Sequence, residues 1–257
     1  KGYEIPELGR TAKGIPIINL LQIEKGEHIT TVMPIQEFSA GWYLFFVTKN
    51  GLAKRTPLSL FANIRKGGLI AISFRDDDEL IAVKLTDGKK EMMIGTRQGM
   101  AIRFHEQDVR SMGRTAAGVK GITLQENDKV VGVGTLEKNE DILIVTEKGY
   151  GKRTSIAEYR SQSRGGKGLM TCNITERNGA VVALKTVKES DELMIMTDSG
   201  VLIRISVDGI SKMGRITQGV MLIRLDEDNR VATVAKVNTE DEGLFAAEAQ
   251  TTDTDDS

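Results

Sequence analysis

Cysteine is almost absent from this 257-residue chain: Cys172 stands alone, which excludes an internal disulfide and suits a reducing compartment. Histidine is nearly as scarce. His28 and His105, with one thiol, give no zinc-ligand spacing and read as strand or surface residues. No apolar run approaches the ~20 residues needed to cross a bilayer, and no secretory signal pattern is present, so a cytoplasmic protein without membrane contact is expected. Aromatics make up 5% of the chain with a single tryptophan, Trp42, leaving little for stacking single-stranded bases.

Net charge is missing too, but only in sum. Thirty-six acids nearly cancel 35 bases, yet seven acids and no base fall in the last stretch, "TEDEGLFAAEAQTTDTDDS". Without it 35 bases face 29 acids, so the body carries +6. A basic body with an acidic tail is one pattern of nucleic-acid binders, and it is equally compatible with plain solvation. The tail is poor in apolar residues and lacks strand periodicity, predicting a disordered segment at 239–257 beside one folded unit at 1–238.

What the chain does have is repetition. Four segments share one plan: "YLFFVTKNGLAKRT", "EMMIGTRQGMAIRF", "DILIVTEKGYGKRT" and "ELMIMTDSGVLIRI". Each is a β-rich run ending in threonine, two polar residues, a glycine (Gly51, Gly99, Gly149, Gly200), and four residues later an arginine (Arg55, Arg103, Arg153, Arg204). Glycines 48, 50 and 51 residues apart inside apolar runs defeat a helical reading and predict β-hairpins. A second element follows each hairpin: "GRTAKG", "IRKGG", "GRTAAG", "SRGGKG" and "GRITQG", ending at Gly14, Gly68, Gly118, Gly168 and Gly219. Another β-rich run comes next, then an acidic turn and a final strand such as "LIAVKL". Four strands per ~50 residues is the arithmetic of a propeller-like blade. Alignment back from Gly14 predicts that the first of five repeats is truncated, and the chain is expected to be a piece of something longer.

WD repeats are excluded by the single tryptophan, and kelch repeats by double glycines in only two of five repeats. The phrases "GYGKRT", "EYRSQSRGGKG", "ITERNG" and "QGVMLIR" instead resemble the C-terminal domain of bacterial type II topoisomerase A subunits, that of the DNA gyrase A subunit in particular. The resemblance runs from Lys1 to about Val237. It implies an all-β β-pinwheel, a ring of four-stranded antiparallel blades in which neighbours exchange a strand. It also implies a domain that wraps duplex DNA with right-handed sense for an A2B2 enzyme, whose ATP-driven strand passage introduces negative supercoils. On that likeness the cleaving tyrosine, magnesium site and ATP site lie in other parts, with no cofactor here, and Tyr3, Tyr43, Tyr150 and Tyr159 are structural. The equivalent domain of topoisomerase IV and a propeller binding acidic proteins are the rival readings.

The candidate site follows from phase. At equivalent points of successive repeats stand Arg10 and Lys13, Arg65 and Lys66, Arg114, Arg164 and Lys167, and Arg215, with Arg110, Lys120 and Lys212 nearby. A nucleotide-binding loop is excluded: Lys167 is followed by Gly168 rather than Ser or Thr, and then by strand-like "LMTCNIT" instead of a helix. In a ring of blades, loops of one phase share a rim, so these residues form a curved positive band, while the acidic turns at 76–78, 126–128 and 226–228 fall elsewhere. Gly165 and Gly166 are expected to let backbone N–H groups approach phosphates. Gln162–Gly168 matches six of seven positions of the family's wrapping box, Q-R-R-G-G-K-G, which belongs to a first blade this chain lacks; here it reads as an assisting copy. The second-strand arginines either face DNA or pair with acids between blades, and Met92, Met93, Met194 and Met196 read as core.

Overall fold

A computed structural model describes residues 5–9, 12–21, 23, 26–64, 67–226 and 228–237. Among them are fifteen β-strands, short 3₁₀ turns and no α-helix. The four hairpins are β1 (Tyr43–Thr48) with β2 (Leu52–Pro57), β4 (Glu91–Thr96) with β5 (Met100–His105), β8 (Asp141–Thr146) with β9 (Tyr150–Ser155), and β12 (Glu192–Thr197) with β13 (Leu202–Ser206). Their turn glycines hold φ between 79° and 85°, the left-handed region that a side chain disfavours. Each repeat ends in a longer strand: β3 (Leu80–Thr86), β7 (Val130–Leu136), β11 (Val181–Val187) and β15 (Val231–Val237). Between hairpin and final strand lies a strand of only two residues: β6 (Val119–Lys120), β10 (Leu169–Met170) and β14 (Val220–Met221).

These short strands do not stay in their own repeats. The sheet orders are β3-β1-β2-β6, β10-β5-β4-β7, β11-β8-β9-β14 and β13-β12-β15. Thus β6 completes the sheet of the preceding repeat, as do β10 and β14, which is the strand exchange of a pinwheel. The last sheet has three strands, and among the described residues nothing pairs with the outer edge of β13. Of the first repeat, residues 5–42 contribute a 3₁₀ turn, Ile17–Asn19, and the side chains Met33, Ile35 and Phe38, which pack on the first sheet.

The final strands sit inside the assembly. Contacts run from β3 to β7, from β7 to β11 and from β11 to β15, so these edges line the centre and the exchanged strands lie on the outer rim. The core is layered between blades. Phe45 and Val47 of one sheet meet Met92, Ile94, Ile102 and Phe104 of the next; Met93 and Ala101 meet Ile142, Ile144 and Leu184; Leu143 and Val145 meet Leu193 and Ile195. Each blade therefore needs a neighbour on either side to bury both of its faces. Met92 and Met93 are fully buried as expected, but Met194 is half-buried and Met196 is exposed. The core reading fails for those two because no further blade among the described residues covers the last sheet.

Candidate nucleic-acid interface

The loop leading into each exchanged strand runs along the second strand of the preceding blade with one repeated set of backbone bonds. Met112 N donates to Arg55 O, Gln162 N to Arg103 O and Met213 N to Arg153 O, each at 2.8 Å. Beyond the loop, Gly121 N, Thr171 N and Leu222 N donate at 2.8 Å to Gly51 O, Gly99 O and Gly149 O. Loop-ending glycines make this fit possible. Gly118, Gly168 and Gly219 have φ of 102°, 77° and 81°, and a Cβ on Gly118 or Gly219 would stand 2.7 Å from Ala53 O or Gly151 O. The ~50-residue glycine period is thus the footprint of backbone pressed onto backbone.

Successive loops also touch one another along the rim. Arg164 Nη1 donates to Lys120 O at 3.0 Å, Gly165 N to Gly121 O at 2.6 Å, and Thr123 N to Gly166 O at 2.8 Å. One repeat on, Arg215 Nη1 donates to Met170 O at 2.9 Å, and its guanidinium lies over the Tyr159 ring at 5.9 Å. The path from Arg114 through Lys120, Arg164 and Met170 to Arg215 is therefore continuous. Lys167 and Lys120 are exposed, and neither they nor Arg114 make a side-chain hydrogen bond or ion pair among the described residues. Arg164 donates only to carbonyls, of Asp108 at 2.8 Å and of Lys120. Lys13 is exposed. Arg10, Arg65 and Lys66 lie outside the described residues, as does the acidic segment 239–257.

On the rim Glu158 accepts from the Arg215 backbone amide at 3.0 Å; other carboxylates are engaged elsewhere, at the two ends of the strands. At the hairpin tips, Asp78 and Asp128 accept from the amides of Asn50 and Gln98, each at 2.9 Å, while Lys49 pairs with Glu79 at 2.9 Å and Arg97 with Glu147 at 2.7 Å. At the opposite end the second-strand arginines settle the question left open by their sequence. Arg55 faces Glu106 at 4.0 Å and stacks on Tyr43. Arg103 binds Glu91 and the carbonyls of Ile156 and Tyr159, and the bond holds the Glu91 carboxyl below its usual range. Arg153 is buried between Asp141 at 3.6 Å and Glu189 at 3.2 Å and donates to Ile210 O at 2.8 Å. Arg204 pairs with Glu192. All four pair with acids, Arg103, Arg153 and Arg204 within their own hairpins and Arg55 with Glu106 of the next repeat, while Arg103 and Arg153 also reach carbonyls of the next repeat.

Two sequence expectations need correction. The Gly165 N–H is already committed to Gly121 O, and the Gly165 carbonyl accepts from Thr123 Oγ1 at 2.6 Å, so this glycine serves loop packing and offers no amide to a phosphate. Lys212 pairs with Asp141 at 2.8 Å and leaves the band. Conversely Arg160 is exposed and makes no side-chain bond among the described residues. It holds the phase of Arg110, and the repeated Arg-Ser of "VRSMGR" and "YRSQSR" was the signal for it. The tyrosines are structural where described: Tyr159 is buried and bonded to Thr171, burial pushing its phenol up to about 12, and the Tyr150 hydroxyl accepts from Arg177 at 2.9 Å.

The comparisons agree with this architecture repeat by repeat. A family model described as the DNA gyrase C-terminal domain, a β-propeller, matches residues 1–36, 43–87, 90–137, 140–188 and 191–238. The A subunit of DNA gyrase from Halalkalibacterium halodurans is 70% identical over the whole chain, and that from Staphylococcus epidermidis is 52% identical over 94% of it. The chain spans 31% and 27% of their lengths. Among solved structures, a DNA topoisomerase IV C-terminal domain superposes with a TM-score of 0.89 at 30% identity, over 97% of this chain and 79% of that one. A DNA gyrase A C-terminal domain superposes with a TM-score of 0.79 at 27% identity, over 88% and 76%. With five matched segments falling on the five sequence repeats, and the sheets closing by exchanged strands, the chain belongs to the family of DNA gyrase C-terminal domains.

Proposed function

We propose that the chain binds duplex DNA without sequence specificity along its outer rim and bends it around the pinwheel. The observation that carries this reading is the sorting of charge: the side chains of Arg114, Lys120, Arg164 and Lys167 on the exchanged-strand loops pair with no carboxylate among the described residues. Glu158, which does reach the third loop, accepts from the Arg215 backbone amide at 3.0 Å, while acids at both strand ends are spent on arginines, lysines or amides. Duplex DNA presents a phosphate charge about every 1.7 Å of axis, so a continuous band of cations meets a continuous partner. Bending is costly. At a persistence length of ~50 nm, a half-turn around a body roughly a few nanometres across takes on the order of ten kcal/mol. A non-specific contact of ~10⁻⁴ to 10⁻⁶ M gives roughly 5–8 kcal/mol, so several stations must act together. With no α-helix among the described residues to enter a major groove, sequence is not read directly. Within a complete gyrase, where the rest of the A polypeptide and its B partner join it in the bacterial cytoplasm, the bent segment would feed ATP-dependent negative supercoiling. The ATP and magnesium for that cycle belong to other parts of the enzyme.

Replacing Arg164→Ala with Lys167→Ala tests the reading. Affinity should fall on every duplex tried, and the salt slope should shrink by about two charges. Loss confined to one sequence, or an unchanged slope, would contradict it. The equivalent domain of topoisomerase IV is the second reading, supported by the TM-score of 0.89, against which stands the 70% identity to a gyrase relative.

A further inference from the structure

Beneath two of the rim loops lies a lysine that neither the period of the loops nor their charge would suggest. Lys54 of β2 and Lys152 of β9 are each fully buried, three residues past the hairpin glycine. Lys152 Nζ donates to Gly214 O at 2.7 Å, to Arg215 O at 2.5 Å and to Thr217 Oγ1 at 3.0 Å, all on the loop of the following repeat. Lys54 Nζ donates to Arg114 O, on the equivalent loop, and to Ala71 O at 2.5 Å, and it sits 5.3 Å from the centre of the Phe46 ring. Among the described residues no carboxylate binds either ammonium. In each case the acceptors include the carbonyl of the loop's own arginine.

The intervening blade is built differently. Ile102 of β5 takes the lysine's place, and the loop above it is held from outside by Thr123 and Arg164. That loop alone among the three carries a second cation of its own, the exposed Lys167. Within each rim loop two cations lie together, Arg114 over Lys54, Arg164 beside Lys167, and Arg215 over Lys152, with Arg110, Lys120 and Arg160 flanking the first two.

We propose that Lys54 and Lys152 are positioning residues for the DNA-facing rim, drawing the loop carbonyls inward so that each station presents positive charge outward and adds its own from below. This rests on the rim being the DNA-binding surface. The physical reason is the cost of an unpaired buried ammonium: the loop cannot swing away without stranding it, so the cation locks the loop that covers it. A carbonyl oxygen turned inward is also one fewer partial negative charge facing a phosphate. Burial lowers both lysines to about 8; Cys172 and Glu158 favour the charge of Lys152 and Arg215 opposes it, whereas burial alone acts on Lys54. Both lysines are charged at neutral pH and lose that charge as pH climbs through 8 toward 9, taking one positive charge from beneath each station.

The test compares Lys54→Met/Lys152→Met with the wild-type chain and with Arg164→Ala/Lys167→Ala, using a duplex long enough to follow the rim. Hydrogen exchange of the 113–118 and 213–219 amides should quicken about tenfold in the Met variant while 163–168 stays unchanged, the loss of one charge-assisted anchor per loop. Wild type should lose duplex affinity between pH 7 and 9 with a midpoint near 8. The Met variant should start weaker and lack that step, and the Arg164/Lys167 variant should keep it. Should the Met variant not fold, the wild-type pH step and a gain of affinity in Ile102→Lys, which installs the missing lock, decide the matter. Unchanged exchange in the Met variant, a pH step that persists in it, or a wild-type affinity flat from pH 7 to 9 would overturn the proposal. A wild-type chain that fails to bind duplex DNA would instead refute the rim reading, and the exchange result would still report on the lock.

Discussion

Two sets of arginines recur in this chain with the same ~50-residue period, and they have opposite fates. Arg153 on β9 is enclosed by Asp141, Glu189 and backbone carbonyls of the next repeat. Arg164, eleven residues on, holds only carbonyls and no carboxylate. Residue type and period are alike, so neither separates an arginine that joins blades from one that meets a ligand. The separating feature is an acid twelve residues earlier on the partner strand of the same hairpin, Glu91, Asp141 or Glu192, where the loop arginines have Ile102, Lys152 and Ile203.

The contrast can be broken first at Arg153. Arg153→Ala leaves Asp141 to Lys212 alone and strands the carbonyl of Ile210, and should cost about 1.5–3 kcal/mol in urea unfolding, as loss of a buried charge-assisted hydrogen bond does. The loop arginines should cost little in the same assay and be felt in DNA binding. Gly219→Ala comes next. It forces a side chain into φ of 81° and against Gly151 O, and about 1–3 kcal/mol should be lost.

A pH series sharpens the contrast between paired and unpaired cations. Lys54 and Lys152, lowered by burial to about 8, hold fewer protons folded than unfolded between pH 8 and 10.5, so they make stability rise across that window. Tyr159, raised by burial to about 12, keeps its proton when the unfolded chain has lost it, so above pH 10 stability falls. Urea midpoints should pass through a maximum in this range, and Lys54→Met/Lys152→Met should remove the rising limb. The smallest effect belongs to Arg204→Ala: its pair with Glu192 is half exposed on the last sheet, and about 0–1 kcal/mol should separate it from wild type.

Much of this was legible in the sequence because glycine geometry writes itself into a repeat. A positive φ at Gly51, Gly99, Gly149 and Gly200, and backbone pressed on backbone at Gly118, Gly168 and Gly219, admit no substitute without strain, so hairpins and loops show at a fixed step. Strand exchange left no such mark, since β6, β10 and β14 are two residues long and pair outside their own repeat. For Arg103 and Arg153 the acids Glu91 and Asp141 stand twelve residues earlier in the same hairpin, whereas the carbonyls of Ile156, Tyr159 and Ile210 belong to loops of the next repeat and left no mark. Lys54 and Lys152 were missed although a sign existed, because the equivalent positions in the other two hairpins are Ile102 and Ile203, which marks an inward-facing site. Met196 misled in the other direction. Its strand looks like its siblings, and it meets solvent because no neighbouring blade among the described residues covers the last sheet.

The rim itself is tested most directly by the shape of bound DNA. Fluorescence transfer between the ends of a duplex should rise on binding the wild-type chain, as the ends are drawn together. With Arg114, Arg164 and Arg215 all replaced by Ala the ends should stay apart and the salt slope should fall by about three, the chain remaining folded. If that triple variant brought the ends together as well as wild type does, the DNA would be following some other surface.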